Sequence, residues 1–383
     1  MKTLWIHIGM AKTASTSLQA FCLENAKVLD RHGFCFPPLA FRYRGIAKAH
    51  NGRFLLGMIK DENGKRDREQ EEKNFQEGMR MVHELFRTNE NVILSDESIW
   101  RGMDSEKKNL WELMVEEAGK GDFQIKVIVY LRRQDKFFPS NWNQIVKKDG
   151  VKETFEHYTG RVNRLFLNYY DKLERMASVI GKENITVRRF ERDKFEGGSI
   201  YSDFFSVLGL ELTDEYHISQ EVRNNGLYGN THEIKRVLNS LPEVKDRKLQ
   251  RFIIERLWEF SDISQEEYPN EMFSPEEARE ILETYGPGNR KVAEEYLHER
   301  GAELFDNAVK DLPKWEKNNP HMTDDIIRFV GTMGIYLYKE NQELKKEIQK
   351  MKKLADLIRH PFRTVWRRVR RLFGKKLKIQ QLA

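Results

Sequence analysis

The sequence predicts an α/β fold: a parallel sheet flanked by helices, continued by a helical C-terminal extension and an amphipathic tail. Three observations lead there. Short apolar runs of strand length alternate with segments of helical period, the pattern of a parallel sheet covered on both faces. The strongest runs end abruptly in polar or charged residues, and ligands of such sheets bind beyond the carboxyl ends of the strands. The chain has 383 residues, 39% hydrophobic and 33% charged, and no run in it approaches the roughly 18 apolar residues of a membrane-spanning helix.

The first strand is Leu4-Trp5-Ile6-His7-Ile8, broken at Gly9 and followed by Lys12 and a helix start rich in hydroxyls. Gly33-Phe34-Cys35-Phe36 is a short strand stopped by Pro37 and Pro38, and the charged run 60–75 reads as surface loop or helix. Asn91 to Ser95 is a buried strand leading into Asp96 and Glu97; Gln124 to Leu131 is the strongest strand and ends in Arg132-Arg133; Asn184 to Phe190 is the last. Helical periodicity fills 73–87, 104–118 and 161–179. From about 215 to 340 the pattern is mostly helical, with a helix start at Ser274-Pro275-Glu276-Glu277 and a loop expected at Tyr285-Gly286-Pro287-Gly288-Asn289. Cys22 and Cys35 lack partners at metal-ligand spacing and read as reduced thiols of a cytoplasmic protein.

The net charge of +6 divides unevenly. Residues 342–383 hold fourteen Lys or Arg against three Asp or Glu, a net of +11, so the remaining 341 residues carry a net −5. That split argues against a nucleic-acid partner for the body.

The segment Gly9 to Ser17 is built for an anion. A helix start offers free N–H groups, Thr13, Ser15, Thr16 and Ser17 add hydroxyls, and Lys12 adds an ammonium. A nucleotide triphosphatase loop needs Gly six residues before its Lys and another immediately before it. Those places hold Ile6 and Ala11, so that motif fails twice, although Val92 to Glu97 resembles the acidic strand that accompanies it.

Together these segments resemble the sulfotransferase superfamily, whose donor is 3′-phosphoadenosine-5′-phosphosulfate (PAPS), and its bacterial, carbohydrate-sulfotransferase-like members most. Lys12-Thr13-Ala14-Ser15-Thr16 is similar to the Lys-Thr-Gly-Thr-Thr of that family, and Arg132 with Ser140 eight residues on matches its Arg and Ser pair. Val187 to Arg192, Gly197-Gly198, Asp203-Phe204, Leu208-Gly209-Leu210 and Asn224-Asn225-Gly226-Leu227 extend the likeness over roughly residues 1–310. The resemblance implies a P-loop-like sheet. It implies that Lys12 neutralises the leaving phosphate oxygen, that residues 13–17 cradle the 5′-phosphate, and that Arg132 and Ser140 hold the 3′-phosphate, with no metal required. It leaves the base open between Glu97 and His50. Ala14 replaces the usual Gly and is expected to be helical, where Ala costs nothing.

The expected organisation is a PAPS-binding core (1–215), a helical extension packing on it (216–335), a coiled coil (336–358) and a basic amphipathic tail (359–383). Leu337, Asn341, Leu344, Ile348, Met351, Ala355 and Ile358 follow a heptad that predicts homo-oligomerisation. In the tail, Phe362, Val365, Trp366, Val369, Leu372 and Phe373 oppose a set of arginines, which predicts contact of 359–378 with an anionic membrane. The implied protein is a cytoplasmic sulfotransferase at the inner face of the membrane, acting on a glycan or lipid-linked saccharide. The alternatives are a P-loop hydrolase or kinase and a non-catalytic membrane-associated scaffold.

Overall fold

A computed structural model describes residues 1–43, 46–56, 59–61, 63–102, 110–162, 164–219 and 226–359. Five strands form the sheet: β1 (Lys2–His7), β2 (Phe34–Cys35), β3 (Asn91–Ser95), β4 (Phe123–Leu131) and β5 (Ile185–Arg189). Their spatial order is β2-β3-β1-β4-β5, and every pairing is parallel. β1 is central, with His7 beside Ser95 on one side and Ile128 on the other. The chain leaves β1 toward β2 and β3, then crosses to β4 on the opposite side. This reversal opens a crevice at the carboxyl ends of β1 and β4, where open α/β sheets take ligands.

The sheet is buried on both faces because its strands are apolar on both faces. Within the first half lie α1 (Ser15–Glu24), α2 (Ala26–Arg31), α3 (Arg68–Leu85), α4 (Ser98–Gly102), α5 (Leu110–Gly121), α6 (Gln134–Lys148) and α7 (Phe155–Arg161). They are followed by α8 (Tyr169–Ile180), α9 (Ile200–Leu208), α10 (Asn230–Leu238), α11 (Arg247–Glu267), α12 (Pro275–Tyr296) and α13 (Met322–Arg359). Leu4, Ile6 and Val127 face a large core shared with α3, α5, α6, α8 and α12. Ile93, Ile128 and Tyr130 face a second core closed by Leu18 and Phe21 of α1 and by Phe204 and Phe205 of α9.

The C-terminal half is tied to the body in two different ways. Val292, Ala293, Leu304, Phe305 and Trp315 enter the main core. Leu227, Ile234, Ile253, Leu257, Phe260 and Phe329 make a small core of their own between α10, α11 and the start of α13.

Three expected element boundaries are corrected. Residues 285–289 are not a loop but the middle of α12. Ser274 and Glu277 close a capping box at its start, Gly286 and Asn289 are buried, and the Gln134 and Asn289 amides bond to each other. Those contacts outweigh the local preference of Gly and Pro. The helix expected over 161–179 is broken between α7 and α8 by extended Val162 and a single 3₁₀ turn at Leu165–Leu167. α3 begins earlier than its apolar period, because Asp67 accepts a hydrogen bond from the Gln70 amide and caps it.

The tail at 360–383, Arg223 and the Asn224-Asn225 part of the later motif lie outside the described residues, as does 104–109 of the expected helix 104–118. Among the described residues no helix is long and apolar enough to cross a membrane.

Candidate functional site

The turn after β1 is the centre of the site. Lys12 and Ala14 both adopt left-handed backbone conformations, at φ 74° and 59°. The expectation that Ala14 is helical is therefore corrected: Ala14 is the left-handed residue that launches α1. A non-Gly residue there costs about 1–2 kcal/mol. Such strain persists where surrounding contacts over-determine the turn. Thr13 supplies one of them, since its fully buried hydroxyl donates to the Met10 carbonyl. That hydroxyl faces inward, so toward a ligand Thr13 has its backbone to offer.

The start of α1 is open. No side chain caps it and no acid lies in its first turn, so its first N–H groups and the helix dipole are available to an anion. Ser15 is buried, Ser17 half-buried and Thr16 exposed. Gly9 leaves room that no other residue would: a Cβ there would stand 2.5 Å from Ser15 Oγ and 2.9 Å from His7 Nε2. His7 itself is core. It is buried, bonds Ser95 Oγ at 2.8 Å, and burial lowers its pKa to about 4.

Arg132 reaches this turn from the end of β4. Its guanidinium donates to the Lys12 carbonyl at 2.7 Å and lies over the Phe190 ring, and its own carbonyl is held by the Tyr169 hydroxyl. The acid nearest in sequence, Asp135, is engaged by both prongs of Arg133 at 2.8 Å. Lys12 Nζ donates to Gln144 Oε1 at 2.9 Å. Among the described residues, neither Lys12 nor Arg132 has a carboxylate partner. Burial, reinforced by the charges of Lys147, Arg132 and Lys148, brings the Lys12 pKa down to about 8. Burial lowers Arg132 to about 10, so it stays charged at neutral pH. Two desolvated cations with no carboxylate partner among the described residues form a site suited to an anion.

Ser140 does not meet Arg132 by a hydrogen bond. It is half-buried on α6, one turn before Gln144 and on the same face, so it flanks the Lys12 contact. Arg188 and Arg189 are used elsewhere, against Glu196 and Asp203 and against Glu299 respectively.

On the other side of β1 stands an acidic cluster. Asp96 and Glu97 follow β3, and His50 Nδ1 lies 3.6 Å from Asp96 Oδ2 and 3.4 Å from Glu97 Oε2. Asn51 brings His50 there. Its side chain donates to the Ile93 and Pro37 carbonyls and accepts from the Ser95 amide, so it pairs with β3 as a strand would. Gly52 then lies directly on Ser95 and Asp96, where a Cβ would meet backbone at 3.2 Å. Arg53 Nε stands 3.3 Å from Asp96 Oδ2, and the Ser98 amide bonds Asp96 Oδ1 at 2.8 Å. Gln19 of α1 donates to Glu97 Oε2 and to Ser95 Oγ, each at 3.1 Å, and so links this cluster to the helix that begins at the Lys12 turn.

Burial disfavours the His50 charge, but Asp96 and Glu97 outweigh it and raise its pKa to about 9. Burial likewise opposes the Glu97 charge, and His50 outweighs it, holding that carboxyl at about 2. The cluster thus holds ionised Glu97 against protonated His50, with Arg53 beside Asp96. His50, Asp96 and Glu97 offer ligand atoms within 4.8 Å of one another, so they can also receive a divalent cation. Such an ion must displace the His50 proton and compete with Arg53 for Asp96.

Of the residues singled out in the sequence, the structure brings Lys12, Ala14, Ser15 and Arg132 into one basic turn, and His50 and Glu97 into one acidic cluster. It adds Gln19, Asn51, Arg53 and Gln144. Gln144 could have been found from its one-turn spacing after Ser140; Asn51 and Arg53 leave no pattern of their own.

No protein-family profile matches the chain. An uncharacterized protein of Archaeoglobus fulgidus (strain ATCC 49558 / DSM 4304 / JCM 9628 / NBRC 100126 / VC-16) is 27% identical over 176 residues, 45% of this chain and 46% of that protein. The chain thus spans about half the length of the curated relative it matches. Among solved structures, a sulfotransferase from Alicyclobacillus acidocaldarius is similar at TM-score 0.36 and 14% identity, over 58% of this chain and 87% of that one.

Proposed function

We propose that the chain is a sulfotransferase that moves a sulfuryl group from PAPS to a hydroxyl or amine of a glycan or lipid-linked saccharide. The observation that carries this is the bond from Arg132 to the Lys12 carbonyl, which fuses two uncompensated cations into one site at the crevice between β1 and β4. A donor with two separate phosphate groups needs two such cations. The uncapped start of α1 fits a phosphate group approaching the backbone, and Gly9 lets Ser15 and His7 pack closely beneath that turn.

The donor supplies an activated sulfuryl group. Transfer forms one bond from the acceptor oxygen or nitrogen to sulfur, breaks the sulfur–oxygen bond to the 5′-phosphate, and releases adenosine 3′,5′-bisphosphate and the acceptor proton. Lys12 offsets charge on the departing phosphate oxygen, and its lowered pKa also lets it give up a proton there. Arg132 fixes the other phosphate, with Ser140 and Gln144 on the adjoining face of α6. Glu97 is the proton acceptor by its place: it is ionised, partly exposed and held by Gln19, and with a pKa of about 2 it takes the proton only as bonding to sulfur acidifies the acceptor group. His50 orients Glu97 and already carries a proton, so it does not serve as the base.

The basic pattern of 359–378 supports attachment to an anionic membrane, where lipid-linked acceptors reside. Radiolabelled PAPS and a membrane extract test the proposal. Label should pass to saccharide or lipid-saccharide acceptors with the native chain and not with Lys12→Ala. Label that stays with the donor under all conditions contradicts it. Phosphate transfer from ATP with magnesium would favour the P-loop reading, which draws on the acidic strand end at Val92 to Glu97 and the His50, Asp96 and Glu97 cluster there.

A further inference from the structure

α13 has two unlike faces. Between Asp325 and Tyr336 one face is docked: Phe329 enters the small C-terminal core, Tyr336 packs on Phe252 and under Arg256, and Arg328 pairs with Glu267. The other face is bare. Its apolar residues continue the heptad backward from Leu337 through Gly334 and Val330 to Ile327. Val330, Leu337, Leu344, Met351 and Ile358 occupy one seam position, and Ile327, Gly334, Asn341, Ile348 and Ala355 the other. The large apolar members of this seam are all at least 47% exposed. From Leu337 to Arg359 no described residue makes a hydrogen bond or ion pair with the rest of the protein. That leaves a projecting rod about 34 Å long at 1.5 Å per residue. An apolar stripe along it, interrupted by Asn341, requires cover.

We propose that the stripe is covered by the same stripe of a second copy, in a parallel, in-register, two-stranded coiled coil from 327 to 358. Charge decides both the occupant and its direction. The residues flanking the seam on one side are Glu340 and Glu347, and on the other Lys345 and Lys352. In a parallel pair each flanking residue faces the residue five positions on in the other helix, which sets Glu340 against Lys345 of the partner subunit and Glu347 against Lys352 of the partner subunit. An antiparallel pair would set Glu against Glu and Lys against Lys. Ile348 on the first seam position with Leu337 and Leu344 on the second favours two strands over three, and Asn341 on that first position meets its own copy only in register. Gly334 lets the helices approach closely where the two globular bodies stand side by side. The parallel arrangement brings both globular bodies to one end and both basic C-terminal segments to the other. None of this depends on the sulfotransferase reading.

Sedimentation of the full chain tests it, with oxidation of Met351→Cys as the second measurement. The native chain should sediment at twice 45.6 kDa at micromolar concentration. Leu344→Asp should yield monomer with an unchanged melting temperature, because Leu344 lies beyond the docked part of the helix. Met351→Cys should cross-link to a covalent dimer, since parallel helices place that position against itself whereas an antiparallel pair separates it. A monomeric native chain, a trimer mass, or a dimer that survives Leu344→Asp overturns the seam. A dimer whose Met351→Cys form fails to cross-link overturns its direction.

Discussion

The two flanks of β1 carry similar numbers of charged groups and treat them in opposite ways. Toward β4, Lys12 and Arg132 meet no acid among the described residues; the one nearby in sequence, Asp135, is bound to Arg133. Toward β3, Asp96 and Glu97 are matched by His50 and Arg53, and each carboxylate accepts a further hydrogen bond. The unmatched flank is built to take charge from outside. The matched flank is built to hold a carboxylate in a set place and ionised. In the proposed function, substrate anion belongs to the first and proton transfer to the second.

Changes on the two flanks should therefore separate. Glu97→Gln keeps the shape and the Gln19 contact but loses the proton acceptor. Turnover should fall by roughly 100- to 10,000-fold, the usual range for a general base, while affinity for adenosine 3′,5′-bisphosphate measured by calorimetry stays near native. A parallel loss of affinity would merge the two flanks into one binding site. Arg132→Ala should do the reverse. It removes charge-assisted contacts of about 1.5–3 kcal/mol and frees the Lys12 carbonyl, so bisphosphate affinity should drop roughly tenfold to a hundredfold.

Affinity should also depend on pH through Lys12. Its pKa in the free protein is lowered to about 8 by burial and neighbouring cations. The anion binds the protonated form, so affinity is held below pH 8 and declines as pH rises through that value. Lys12→Arg should flatten the decline, because guanidinium stays charged. An unchanged slope in Lys12→Arg would move the titration to another group. The smallest effect expected is from Ala14→Gly. Release of the left-handed alanine at φ 59° should raise unfolding free energy by about 0.5–1 kcal/mol in a urea titration, offset in part by the greater entropy of Gly in the unfolded chain. No gain would mean that the turn carries no strain.

The basic flank was largely legible in the sequence, since Lys12 and Arg132 stand just past the continuous apolar runs that mark buried parallel strands. The conformation of Ala14 was not. Thr-Ala-Ser-Thr looks like a helix start, and only the Arg132 contact and the buried Thr13 hydroxyl show why the backbone turns left-handed first. The acidic flank was legible as two separate candidates, His50 and Glu97, forty-seven residues apart. What joins them is Asn51 imitating a strand, and its signal lies in the partner backbone rather than in its own neighbours. Residues 285–289 show the same limit from the other side. Gly-Pro-Gly announces a loop locally, but the contacts of Asn289 with Gln134 hold a continuous helix.

The central claim is that the unmatched flank is a two-phosphate site. The most direct measurement is the melting temperature of the native chain with adenosine 3′,5′-bisphosphate in the absence of magnesium, beside Lys12→Ala and Arg132→Ala. A rise for the native chain that is clearly smaller in both variants at the same ligand concentration is the predicted result. A rise that appears only with ATP and magnesium, or that is undiminished in both variants, would contradict it.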